Sequence, residues 1–387
     1  MYVTRPLSML RNSPSALSMA PPEGPNSGIL VIKDEAAESK WLFGMLKDET
    51  VLVPPFPQNK KIWLSHTMVV GTTSVVEYIY ALLIPVLNQP LSSNQYYIIK
   101  SNGSDKGLAY MCSKEENGSR LLGVADTPPQ KFDPTNIYQE FEISNDMYYG
   151  KPNGFNFKSV ASNGVTPYAM THKNWRAYCK TLKTFQPTTE ALGLDVSLRA
   201  RLPPLTFSLP CKFSSPAVVV GKWYCPFIFV REGDVDSQIK NSPYYEMALQ
   251  QNWVEVFGCG NNNNSGGRGV ELDVLVEKEV VSVGGRAVGG VNIGDGAAWF
   301  GSSRVGLSMA IVERIRWEEE RGGFEWVREG GEKVVKVRRR EEFDGVGMWR
   351  RFGCYVLVER FELKRMDGSL VLSWEFRHTH QIRTKWE

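Results

Sequence analysis

A β-dominated α+β fold, with antiparallel sheets arranged as a sandwich or open barrel and a few short helices, is predicted by three features of the chain. Asp367-Gly368 lies between two alternating apolar runs, a strong hairpin signal because both central residues of a type I′ turn need positive φ. Runs rich in Val, Ile, Tyr and Leu recur elsewhere between Gly, Pro, Asn and Ser clusters. Helical periodicity is confined to short stretches.

Taken in order, the turn-rich segment 21–28 leads into a strand at Ile29 to Ile32, and strands follow at 61–69, 75–86, 95–100 and 107–113. Asn102-Gly103 closes a hairpin. Between 122 and 152 no steady period emerges, although 136–143 suits a short helix or strand. A helix is expected from Thr188-Thr189, with Ala191, Leu194, Leu198 and Leu202 on one stripe and Pro203 as its stop. Residues 1–202 are therefore expected to form an N-terminal mixed β-rich domain, 203–216 a Pro- and Ser-rich connection, and 217–387 an antiparallel β-rich domain. In the second part, 217–220 and 223–230 read as strand. Asp234 caps a helix over 235–240, and Pro243 opens a second helical turn through Tyr245, Met247, Leu249 and Trp253. Segment 259–269 reads as an Asn and Gly loop, 270–276 and 305–317 as alternating strands, and Gly322-Gly323 as the turn after the latter. Strands at 324–327 and 334–337 precede the final hairpin.

A two-residue loop in that hairpin places Met366 opposite Ser369 and fixes every later pair. Tyr355, Leu357, Phe361 and Leu363 then share one face with Leu370, Leu372, Trp374, Phe376, His378, His380 and Ile382. Arg360 opposes Glu375 on the polar face with Glu362, Lys364, Arg377, Gln381 and Arg383. A sheet with one wet face is normally antiparallel.

Composition bounds the function classes. The chain has 387 residues, 42% of them hydrophobic, and a net charge of +3, which suits a folded protein and gives no excess of cations for nucleic acid. The most basic run, Arg338 to Arg340, lies in segment 313–342 where nine basic residues meet nine acidic ones, so it reads as a solvated hairpin face and nucleic-acid binding is not expected. Six scattered cysteines lack metal or redox spacing and read as reduced thiols. No signal-peptide core opens the chain, so the sequons at Asn102, Asn117 and Asn263 read as turns. Residues 1–22 hold arginines and serines without an acid, as transit peptides do, but Pro6 and Pro14 interrupt the helix such a peptide forms. The longest apolar run, 79–87, falls short of the roughly 20 residues that cross a bilayer. A cytoplasmic location is the expectation.

Candidate chemistry is sparse. His378-Thr379-His380 places two imidazoles on one strand face, a geometry suited to a metal. No third ligand stands at a useful spacing, and Trp374, Phe376 and Ile382 share the face, so His378 and His380 read as a hydrogen-bonded core pair. Cys354 with His380 would make a nucleophile and base, but the register sets residue 355 opposite His380 and turns the thiol away. His66 and His172 have no recognisable nucleophile beside them, Gly284 to Gly296 reads as a flexible loop without the Lys-Ser or Lys-Thr of a phosphate loop, and Glu115-Glu116 and Glu341-Glu342 read as solvated turns. No catalytic residue, cofactor or metal is assigned.

Blocks at 1–8, 21–28, 85–100, 191–203, 219–227 and 352–380 together resemble the plant-specific domain-of-unknown-function family numbered twelve-sixty-two, along the whole chain. The resemblance implies a flowering-plant source, a native start at Met1 and no removed signal, and it brings no catalytic or binding residues. Asn88 departs from the acid expected in many relatives. The function expected is that of a soluble, non-enzymatic protein binding a protein partner or small ligand. A hydrolase with an unrecognised site and a peripheral membrane or pore-forming β protein, the latter motivated by the 305–317 strand and mobile loops, are the alternatives.

Overall fold

The final hairpin lies inside a nine-stranded sheet. In this computed structural model the described residues are 1–387 except 38–39, 42–45, 48, 116–124, 182–185, 189, 209–213, 262–267, 302–304 and 327–332. The large sheet runs in the order Gly28–Ile32, Tyr2–Pro6, Val218–Pro226, Tyr244–Gly260, Arg351–Arg365, Leu370–Trp386, Glu279–Val283 and Arg286–Val288, with Gly193–Leu194 paired on Val218–Pro226. Tyr2–Pro6 and Gly28–Ile32 pair in parallel, and the other pairs in this sheet are antiparallel. A seven-stranded sheet has the order Lys151–Ser159, Glu140–Tyr148, Gln95–Lys100, Thr73–Pro85, Lys60–Val70, Arg176–Thr181 and Thr50–Val51. The large sheet crosses the boundary expected at 203–216, because strands from both ends of the chain are hydrogen-bonded side by side within it.

The predicted hairpin register holds from Leu357 opposite His378 to Leu363 opposite Leu372, including Arg360 opposite Glu375, whose Nε and Oε1 lie 2.8 Å apart. It slips between Leu357 and Val356, where Val356 pairs with Ile382, so Thr379, His380 and Gln381 have no partners across the ladder. Tyr355 consequently faces Arg383, which corrects the expected pairing with His380. An odd slip exchanges the faces of everything beyond it. Ile382 thus packs with Cys354 and Phe352, whereas Leu372, Trp374 and Phe376 stay with Phe361 and Leu363 in the main core.

Three helical expectations change. Tyr244–Gly260 is one 17-residue strand, paired through Met247 with Leu363, Leu249 with Phe361 and Trp253 with Leu357. The helix expected from residue 188 is limited to Val196–Arg201, capped by Asp195, after Gly193 at φ +89° has broken the chain direction. Conversely, strand Val305–Ser308 gives way to helix Met309–Arg321. Buried Ile311, Val312, Ile315, Glu318 and Glu319 recur at helical spacing, and Glu313 interrupts the alternation that suggested a strand. Gly322-Gly323 ends that helix. Gly284-Gly285 and Asp295-Gly296 are tight turns inside hairpins, so much of the glycine-rich segment expected to be loop is paired strand. Helix Val235–Asn241 and its Asp234 cap, whose carboxylate accepts the Ser237 amide, agree with the expectation.

Candidate functional site

Six buried charged side chains gather where helix Met309–Arg321 meets the large sheet. Arg199 reaches in from Val196–Arg201, Glu359 and His378 project from neighbouring strands, and Arg314, Glu318 and Glu319 come from the long helix. Arg199 grips Glu359 with two donors, Nε at 2.8 Å from Oε1 and Nη2 on Oε2, while its Nη1 donates to the Glu318 carbonyl at 2.9 Å. Gln251 Nε2 donates to Glu359 Oε1 at 2.7 Å. Arg314 holds Glu318 Oε1 through Nε at 3.1 Å and also donates to Ser27 Oγ. His378 Nε2 lies 3.2 Å from Glu319 Oε2 and 3.3 Å from Glu359 Oε2, within ion-pair reach of both but aligned to hydrogen-bond neither.

Burial and the Glu359 charge push the Glu319 carboxyl up to about 8. Burial disfavours the His378 imidazolium, but Glu319 and Glu359 outweigh it and raise that group to about 9. Burial likewise opposes the Glu359 charge, yet Arg199 and His378 hold this carboxyl well below its ordinary range. With Glu318, Glu359, Arg199 and Arg314 charged, one proton shared by Glu319 and His378 makes the cluster neutral whichever group holds it. Almost complete burial of Glu319 and His378, at 0% and 1% exposure, favours holding the helix on the sheet over meeting a substrate.

The other predicted residues lie apart from this cluster. His380, displaced by the register slip, is exposed with its ring 5.5 Å from that of His378, and burial followed by the His378 charge lowers its pKa. The third metal-type ligand missing from the sequence is supplied twice, since Glu319, Glu359 and His378 bring donor atoms within 4.8 Å of one another, without His380. Cys354 is buried in the core with Leu272, Val337 and Phe352, where burial pushes its thiol up to about 11. His66 and His172 stack, with centroids 4.9 Å apart and planes 3° from parallel. Arg338 pairs with Asp273 and Arg340 with Glu271 on a two-stranded ribbon, the solvated face expected of that run. Glu359 was readable in advance: it is in phase with Leu357, Phe361 and Leu363, an acid at an apolar position. Glu318 and Glu319 required the correct helix, and Arg199 a tertiary contact.

The other end of the long helix opens onto a cleft of about 580 Å³. Lys131, Asp133 and Asn136 line one side, Arg231 another, and Ser308 and Glu313 the helix end. Ser308 occupies the N-cap position without a side-chain cap, and no acid lies in the helix's first turn. Of the three acids in the lining, Asp133 accepts Thr135 N at 2.9 Å and Oγ1 at 2.7 Å, Glu313 accepts Asn26 Nδ2 at 2.9 Å, and Asp295 is bonded through its backbone carbonyl. Arg231 donates to the Asp295 carbonyl at 2.8 Å and lies over Trp299, while Lys131 is exposed without a carboxylate partner among the described residues. Two cations, Lys131 and Arg231, therefore share the cleft with three carboxylates, and the helix start adds the positive end of its dipole.

Fold and site define a β-dominated protein with a polar cleft fixed by a buried charge cluster. The family described as "Protein of unknown function (DUF1262)" matches residues 23–121, a shorter extent than the full-length resemblance. No curated protein matches the chain. Among solved structures, the crystal structure of Cry35Ab1 is similar at 14% identity, covering 86% of this chain and 90% of that one, with a TM-score of 0.44.

Proposed function

We propose that the chain is a binding protein for a small anionic molecule, a phosphate or carboxylate compound seated in the cleft between Lys131, Arg231 and Ser308. The observation that carries this reading is the N-terminus of a 13-residue helix, without a side-chain cap, opening into a cleft that also presents Lys131 and Arg231. Amides at a helix start and its dipole favour an anion, and the cleft volume falls in the ordinary range for small ligands. Five described cysteines are unpaired, which supports a reducing compartment such as the cytoplasm.

Thermal melts in inorganic phosphate and in a panel of phosphorylated and carboxylated metabolites test the proposal. At least one compound should raise Tm of the native chain at constant ionic strength, with the shift lost in Arg231→Ala. A panel without any shift, or shifts equal in native and variant proteins, would overturn it.

A further inference from the structure

The hairpin made by Lys60–Val70 and Thr73–Pro85 extends beyond both neighbouring strands. Arg176–Thr181 supports its first strand only as far as Ser65, and Gln95–Lys100 supports the second from Ala81 onward. Beyond these limits it is a two-stranded ribbon, closed by Gly71 at φ +64° in a two-residue loop. Residues 67–76 contain no charge and consist of Thr, Ser, Val, Met and Gly. Val69, Val75 and Val76 are 74%, 44% and 42% exposed. An exposed ribbon with valine on both faces lacks the charges that ordinarily protect such an edge.

Aromatic and then basic side chains surround its base. Tyr78 and Tyr80 stack at 6.1 Å, Trp63 and Tyr178 at 5.6 Å, and His66 on His172. Arg176 lies opposite Ser65, beside exposed Lys173. Lys61 and Lys180 are direct cross-strand partners and both exposed, a like-charge pairing that costs stability in the isolated chain. Among the described residues Lys61, Lys173 and Arg176 have no carboxylate partner. Glu77, the acid just inside the ribbon, lies opposite His66.

We infer that this hairpin inserts into one leaflet of an anionic lipid surface. The pairs from Thr67 with Val76 to Val70 with Thr73 span about 10 Å, enough to enter a leaflet but far short of the roughly 30 Å hydrocarbon core. Insertion places Tyr78, the histidine stack and Arg176 at headgroup depth, where aromatic rings and cations are favoured. This inference uses a different surface from the ligand cleft and is independent of it.

Vesicle sedimentation at low salt tests it, using phosphatidylcholine alone and a phosphatidylcholine–phosphatidylserine mixture. The native chain should pellet with the mixed vesicles at least fivefold more than with the neutral ones, and 0.5 M salt should reduce the difference. Val69→Asp and the double variant Lys173→Glu, Arg176→Glu should each lower the bound fraction at least fivefold, while Arg286→Ala, which removes an exposed cation from the large sheet, remains native-like. Unchanged circular dichroism and Tm separate lost binding from misfolding. Should Val69→Asp misfold, a Val69→Trp probe quenched by lipids brominated on the acyl chain supplies the same readout. Native protein left in the supernatant, a Val69→Asp variant that binds normally, or an unquenched tryptophan would overturn the inference. So would a dimer, seen by sedimentation velocity, that Val69→Asp abolishes while lipid binding stays absent.

Discussion

His378 is the residue on which the buried cluster turns, because its proton offsets the third carboxylate. Replacing it with Ala leaves Glu319 and Glu359 facing each other without an intervening cation, and breaking a buried ion pair in this way costs about 3–5 kcal/mol. Urea unfolding should show that loss, and a change below about 1 kcal/mol would remove the cluster's assigned role. Glu319 and His378 act as one coupled pair that holds its shared proton more tightly when folded, so the stabilisation is complete below the ordinary imidazole range near 6.5 and is lost as pH rises through about 8 to about 9. Glu359 has the opposite sign, contributing above the ordinary carboxylate range and losing its contribution in acid. Native Tm should therefore fall between pH 7.5 and 9.5 more steeply than that of His378→Gln; equal alkaline slopes would contradict the assignment. Because a shared proton already neutralises the cluster, dialysis against EDTA should leave the native Tm unchanged. A drop on chelation would instead identify a bound metal.

At the scale of elements, the helix termini are fixed by contacts that local sequence only partly displays. Asp234 reads as a cap because its carboxylate meets an amide three residues away, and the helix begins where expected. Tyr244–Gly260 is harder to read because both faces of its first half are covered: Tyr244, Tyr245, Met247, Ala248 and Leu249 are all buried, which removes the alternation that identifies a half-exposed strand. Met309–Arg321 has the reverse problem, since its odd-numbered apolar residues imitate a strand until Glu313. The hairpin register was legible in its middle, from Leu363 to Leu357, but not at either end. At the turn Lys364 pairs with Leu370 and only Gly368 of Asp367-Gly368 has positive φ, so the loop is longer than the two-residue turn expected, and at His380 three residues leave the ladder. Gly322 matters through space, not backbone freedom, because its φ is −73°. A Cβ there would lie 2.1 Å from Arg199 Nη2 and 3.0 Å from Glu359 Oε2. Gly322→Ala should consequently cost about 1–3 kcal/mol by displacing the guanidinium, as measured by chemical unfolding. A native midpoint with the Arg199 contact retained in a crystal structure would contradict that account.

Across the whole molecule, strands from the first residues and from the second half build one sheet. Tyr2 pairs with Tyr224 and Gly28, and its hydroxyl donates to the Pro85 carbonyl at 2.8 Å. Asn88, at φ +62°, accepts the Ser27 amide through Oδ1 at 3.1 Å while its own amide donates to the Ser27 carbonyl at 2.6 Å. Asn tolerates this left-handed conformation well, so its amide side chain has a local structural use. One core cluster runs from Met1 through Ile84, Trp223 and Ile311 to Phe376, joining residues before and after 203–216. A fragment of residues 217–387 would expose the side of Val218–Pro226 now paired with Tyr2–Pro6 and the apolar surface beneath it. That fragment should therefore aggregate or remain unfolded, whereas the whole chain should lose the large sheet in one cooperative transition. Calorimetry of the whole chain and circular dichroism of the fragment measure the two outcomes. A soluble fragment with native-like strand content and its own sharp melt would show that the second part folds alone, despite the strands contributed from the first.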